Sequence, residues 1–162
     1  MVIRSLEDAA ITALTQLEAP FLHNDRTGTL TVPMQLDSRG ITLVGIHCYE
    51  AECEVWLEAT IFTPPVERQA IVSLGLLELN AELKWAHYGM LDGKVFIESY
   101  LDLTLVSDHS ACLLQHFLRL VASIDDTYGN LITWARSPQR PRTRVEREIE
   151  ALLVEDDGRM DA

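Results

Sequence analysis

The chain has 162 residues, 48% of them hydrophobic and 23% charged, which are the proportions of an ordinary globular protein with one core. A net charge of -12 argues against general binding to nucleic-acid phosphates or to an anionic membrane surface, and it favours basic partners. No uncharged run approaches the ~20 residues of a membrane span. Glu7 and Asp8 fall where a signal peptide is most apolar, and the three cysteines (Cys48, Cys53, Cys112) suit free thiols in a reducing compartment, so a cytosolic protein is expected.

Ser5 is a candidate N-cap, and Leu6, Ala10, Ala13, Leu14 and Leu17 recur at helical spacing, so a first amphipathic helix is predicted over residues 6–18, before Pro20. His23 to Gly28 reads as a polar loop. Three strands follow, over residues 29–36, 41–49 and 53–62, joined by Asp37-Ser38-Arg39-Gly40 and by Glu50-Ala51-Glu52. Connections this short imply an antiparallel meander. The third strand alternates most cleanly. Cys53, Val55, Leu57, Ala59 and Ile61 share one face, and Glu54, Trp56, Glu58, Thr60 and Phe62 share the other. Pro64-Pro65 ends it, and a second helix is predicted over 67–80 in spite of Gly75.

The sharpest local signal is Asp92-Gly93, a two-residue loop of the kind a type I′ hairpin requires, between two apolar-rich runs. Counting outward pairs Leu91 with Lys94, Tyr88 with Ile97, His87 with Glu98 and Trp85 with Tyr100. One hairpin face then carries Ala86, Tyr88, Met90, Val95, Ile97 and Leu101, a core pattern. The other carries Trp85, His87, Phe96, Glu98, Tyr100 and Asp102. A third helix, capped by Ser107 and running to about Ala135, would be roughly 40 Å long; Gly129 interrupts its pattern, and Asp125-Asp126 read as its solvated side.

Ser137-Pro138-Gln139-Arg140-Pro141 breaks the periodicity, dividing the chain into a domain at 1–136 and a tail at 137–162. In the tail Arg140, Arg142, Arg144 and Arg147 cluster around a capping box, Thr143-x-x-Glu146, which opens a short amphipathic helix with Val145, Ile149, Leu152 and Leu153, and an acidic end follows. The fold expected from these elements is α+β: an antiparallel five-stranded sheet with flanking helices, in the order α-β-β-β-α-β-β-α, plus the C-terminal helix.

Leu79-Asn80, Leu83, Trp85, Tyr88 and Leu91-Asp92-Gly93-Lys94-Val95 carry a pattern of a helix-ending Leu-Asn pair, an aromatic residue and an apolar residue before an Asp-Gly turn. In this respect, and in element order over residues 1–135, the chain resembles the YbjN family of bacterial proteins, whose fold is similar to that of type III secretion chaperones. Ala86 stands where that family often has glycine, and the tail lies outside the resemblance. The resemblance implies a small, acidic, often dimeric protein without enzymatic activity, in a family associated with stress responses and regulation. The similar secretion chaperones bind extended segments of client proteins.

The candidate partner-binding residues are Trp56, Phe62, Trp85, Phe96 and Tyr100, which gather on one outer face among Glu54, Glu58, Glu98 and Asp102. Aromatic anchors supply buried area, and carboxylates steer a basic or extended segment. Nucleic-acid-handling proteins are one class of basic partner that the charge suits. The competing reading is that a helix or a second subunit covers these rings. His87 opposite Glu98 has the chemistry of an acid/base pair but no nucleophile nearby. His47, Cys48 and Cys53 lack further zinc ligands at a recognisable spacing, and His109 and His116 stand two turns apart on one helix. No phosphate-loop, dinucleotide, zincin or nucleophile-elbow motif occurs, so no enzyme, cofactor or metal is expected. The arginines of the tail are the place where a regulatory protein would contact nucleic acid, an alternative that the overall acidity disfavours.

Overall fold

The computed structural model describes residues 5–38 and 40–137. In chain order the elements are α1 (Leu6–Gln16), β1 (Leu22–Asn24), β2 (Thr29–Leu36), β3 (Gly40–Tyr49), β4 (Glu54–Phe62), a single 3-10 turn (Val66–Arg68), α2 (Gln69–Glu82), β5 (Ala86–Leu91), β6 (Lys94–Asp102) and α3 (His109–Arg136). The strands form one antiparallel sheet in the order β1-β2-β3-β4-β6-β5. The sheet therefore has six strands where five were predicted. The additional strand, β1, is three exposed residues overlapping the start of the expected polar loop and pairs only at the edge, Leu22 with Thr31 and Asn24 with Thr29. A strand this short has no alternation for sequence reasoning to find. The predicted C-terminal helix lies outside the described residues.

One face of the sheet is packed under the helices. Leu30 and Val32 of β2, Val44 and Ile46 of β3, Val55 and Leu57 of β4, and Val95 and Ile97 of β6 are fully buried there with Leu14, Val72, Phe117, Leu120 and Ile124 of the helices. Local chemistry places each helix. The Ser5 hydroxyl accepts from Asp8 N (3.0 Å), and the carboxylate of Glu50, in the turn after β3, accepts from Leu6 N (3.0 Å) and Glu7 N (3.1 Å), satisfying free amides at the α1 N-terminus. Asp108, one residue beyond the predicted Ser107, caps α3 by accepting from Ala111 N (3.0 Å). The α3 helix runs unbroken through Gly129. Asp125, on the exposed side of α3, accepts from the Ser38 hydroxyl and from Ser38 N (2.8 Å) and ties the β2–β3 turn to the helix; these hydrogen bonds, the hydroxyl's first, lower its carboxyl.

Two sequence features acquire a physical role here. A Cβ on Gly75 would lie 2.3 Å from the Trp134 ring, so the glycine in α2 is the seat on which α3 packs. Asn80 uses both ends of its amide on the edge strand β5: Nδ2 donates to the Tyr88 carbonyl (2.8 Å), and Tyr88 N donates to Oδ1 (2.6 Å). Asn80 thus supplies hydrogen bonds that a further strand would otherwise provide.

Candidate functional site

The opposite face of the sheet carries no helix among the described residues, and its composition follows from strand alternation. Pairing sets Thr29, His47, Trp56 and Tyr100 in one row, Thr31, Gly45, Glu58, Glu98 and His87 in the next, and Phe96 beside Gly89 beyond it. The rings of His47 and Trp56 are 6.0 Å apart and those of Trp56 and Tyr100 6.4 Å apart, so an aromatic row crosses three strands. Glycine opens space in two places. The Phe96 ring lies over Gly89, where a Cβ would come within 2.3 Å of it, and Gly45 leaves room between His47 and Glu58.

The electrostatics of this face are unusual because like charges stand directly opposite each other across β4 and β6: Glu54 faces Asp102, and Glu58 faces Glu98. Such pairs are destabilising. Neighbouring groups offset the repulsion in part. His47 Nε2 lies 3.1 Å from Glu58 Oε1, His87 Nε2 lies 2.6 Å from Glu98 Oε1, and the Tyr100 hydroxyl donates to Glu54 (2.8 Å). The bond to Glu54 raises the Tyr100 hydroxyl, and Thr104, through its side chain first and then its N (2.8 Å), lowers the Asp102 carboxyl.

Two shallow concavities lie on the face. One, of about 540 Å³, is lined by Thr29, Thr31, Ile41, Leu43, Gly45 and His47 with neighbouring β4 residues. The other, of about 320 Å³, has Trp56 and Phe96 as aromatic walls and Glu58, Glu98 and Asp92 as carboxylates, with Leu91, Lys94 and Thr60 completing it. Both volumes are within the range of ligand sites. They are open grooves over a sheet.

Of the nine predicted partner-binding residues, Trp56, Phe96, Tyr100, Glu54, Glu58, Glu98 and Asp102 share this face. Phe62 and Trp85 do not. The register of β4 shifts between Thr60 and Phe62, so Phe62 pairs with Val95 and packs against the core. A bulge inverts the alternation that placed Phe62 outside. The hairpin register is as predicted for Leu91–Lys94, Tyr88–Ile97 and His87–Glu98, but it ends at Ala86–Ser99. Trp85 therefore precedes β5, and its ring meets His116 of α3 edge-on at 5.3 Å. His116 is itself buried against Ser99 Oγ (2.5 Å), and burial, with Arg119 nearby, lowers its pKa from the usual 6.5.

Sequence reasoning missed Ile41 and Leu43, which are 66% and 58% exposed on this face, and Tyr49 at the other end of the same strand. The β3 strand is apolar on both sides, so no binary pattern marks the side that stays bare. His47 and Cys48 are adjacent on β3 and point to opposite faces, which separates the zinc candidates; burial, with Glu50 and Glu7, pushes the Cys48 thiol up to about 12. Among the described residues no three His, Cys, Asp or Glu side chains cluster as metal ligands. No described helix is long and apolar enough to cross a membrane. The tail candidates Arg140, Arg142, Arg144 and Arg147 lie outside the described residues.

No protein-family model matches the sequence, and no curated protein matches it significantly. Solved structures do match. YbjN from E. coli, a candidate transcription regulator, superposes with a TM-score of 0.60 over 80% of this chain and 95% of that one, at 15% identity. The chain shares the fold of YbjN. The ExsC–ExsE complex matches the same YbjN-like fold with a TM-score of 0.52, 15% identity, and coverage of 83% of this chain and 94% of that one. The Yersinia pestis type III secretion chaperone SycH, in complex with a fragment of YscM2, matches with a TM-score of 0.44 at 13% identity, over 74% and 99% of the two chains. At these identities the likeness is one of fold.

Proposed function

We propose that this chain is a non-enzymatic, chaperone-like or adaptor protein whose uncovered sheet face receives a basic, extended segment of a partner protein, in a bacterial stress response or in regulation. The observation that carries the proposal is the pairing of carboxylates across β4 and β6, between aromatic rings, on a face that no described element covers. Repulsion of this kind is retained at the expense of stability, and a bound cation relieves it. Trp56, Phe96 and Tyr100 supply the contact area and Glu54, Glu58, Glu98 and Asp102 the attraction, while the net charge of -12 raises the encounter rate with basic chains. The YbjN-like fold, and the ExsC–ExsE complex that shares it, support a protein-binding role.

A panel of unstructured peptides graded in charge tests the reading. Affinity is expected to rise with positive charge, fall with salt, and drop about tenfold or more in a folded Trp56→Ala, Tyr100→Ala variant. Equal affinity in the variant would place the site elsewhere. Salt-sensitive DNA binding that disappears when the tail arginines are replaced by Ala would favour the regulatory, nucleic-acid reading.

A homodimer forms the second part of the proposal. The α2 helix is apolar nearly all round: Val72, Leu76 and Leu79 are buried, while Leu74 and Leu77 are 53% and 67% exposed on its outer side. A helix of this pattern ordinarily has cover on both sides. Light scattering should report a dimer that Leu74→Glu, Leu77→Glu converts to monomer; a wild-type monomer at all practical concentrations refutes it.

A further inference from the structure

We infer that the chain carries its own occupant for the acidic face: the arginine segment that follows α3 docks in cis into the Trp56–Phe96 groove and competes there with a partner. The inference rests on the reading of that face as a surface for basic segments. Charge complementarity is its first support. Residues 137–147 hold four arginines (Arg140, Arg142, Arg144, Arg147) against one acid, Glu146, in a chain whose net charge is -12. The groove offers the matching chemistry, with Glu58, Glu98 and Asp92 as carboxylates and Trp56 and Phe96 as walls. A guanidinium stacks on such rings while forking to a carboxylate, which an ammonium does less well. Lys94 also lines the groove, while Glu58 and Glu98 stay directly opposite each other with only histidines as ion-pair partners among the described residues.

The place where the described chain ends is the second support. The carbonyl of Trp134, near the end of α3, accepts from Arg68 Nη2 at 2.9 Å, which seats that end beside the 3-10 turn. The next residue after that turn, Gln69, lies against the hairpin loop: a Cβ on Gly93 would be 2.8 Å from Gln69 Nε2. Asp92, the other residue of that loop, is part of the groove. Ser137 thus leaves the structure at the edge of the sheet where the groove opens. Ten residues of extended chain span up to ~33 Å, and five strand spacings of ~4.8 Å amount to ~24 Å, so residues 138–147 reach any strand of the face. Arg140 and Arg142 flank Pro141, and in an extended chain alternate residues project to the same side. A tethered segment has an effective concentration of about 1 mM, so a contact with a Kd of roughly 0.1 mM is about nine-tenths closed and weakens a competitor about tenfold.

The test uses full-length protein and a fluorescein-labelled synthetic peptide of residues 138–147, read by anisotropy at low salt. Arg140→Ser, Arg142→Ser, Arg144→Ser and Arg147→Ser together should raise the affinity for the added peptide about tenfold over wild type. Trp56→Ala in that background, with the fold checked by circular dichroism, should abolish the gain. Equal, measurable affinity of wild type and the four-serine variant overturns the cis contact and leaves the partner-binding face intact. Failure of both to bind the peptide also overturns it, because the segment then has no affinity for the face; the charge-graded panel still decides the partner-binding reading separately. A wild-type affinity that falls further as unlabelled protein is concentrated would assign the contact to a second copy and refute docking in cis.

Discussion

The two faces of this sheet are built from alternate residues of the same strands, yet they obey different rules. On the covered face β2, β3, β4 and β6 contribute aliphatic side chains, and buried Ser99 is partnered: it donates to the Trp85 carbonyl at 2.6 Å and meets His116. The uncovered face sets carboxylate against carboxylate and leaves Tyr100 56% exposed. Local chemistry and global packing agree on the first face and conflict on the second. Conflict of this kind is expected where a surface is kept for a partner and not for the fold.

The largest effect should come from the covered face. Leu57, fully buried on β4, is expected to cost about 2–5 kcal/mol when replaced by Ala, measured by urea unfolding. A loss below about 1 kcal/mol would show that this face is less tightly packed than the geometry indicates. A smaller, pH-dependent effect should come from His116. Its native pKa lies below the unfolded value of 6.5, so the unfolded chain binds more protons in the window below 6.5, and stability falls as pH drops from 6.5 through the native pKa. The lowered carboxyls Asp102, Asp108 and Asp125 lose their contribution only as pH falls from their usual 3.8. Comparing wild type with His116→Gln isolates the histidine, and identical slopes above pH 5 would remove it as the cause. The smallest effect on stability should come from the uncovered face. Glu58→Gln keeps a hydrogen-bond acceptor for His47 and removes the repulsion with Glu98, so stability should stay within about 0.5 kcal/mol of wild type or rise slightly, while affinity for a basic peptide drops. A clear destabilisation would mean that the carboxylate serves the fold.

Much of this comparison was legible in the residues. The Asp92-Gly93 turn, with φ of 50° and 74°, needed only local backbone chemistry, and it carried the pairing of β5 with β6. Alternation placed Trp56, Glu58, Phe96, Glu98, Tyr100 and Asp102 on one face because period 2 is strict while a strand stays regular. It failed at Phe62, where a register shift interrupts the period, and at Trp85, where the ladder ends before the residue is reached. Ile41 and Leu43 escaped notice for the opposite reason: a strand apolar on both sides carries no information about which side is covered.

Turn types, helix caps such as Ser5, the antiparallel order and the acidic character of one face were determined by the sequence by itself, since each depends on neighbours a few residues apart or on total charge. Which face the helices cover, the seating of Trp134 on Gly75, the use of Asn80 as a partner for β5, the edge strand β1 and the opposition of Glu54 to Asp102 were decided only in the tertiary structure. These features join groups distant in sequence, where close packing and unmet hydrogen bonds select the arrangement, and no local periodicity encodes that choice.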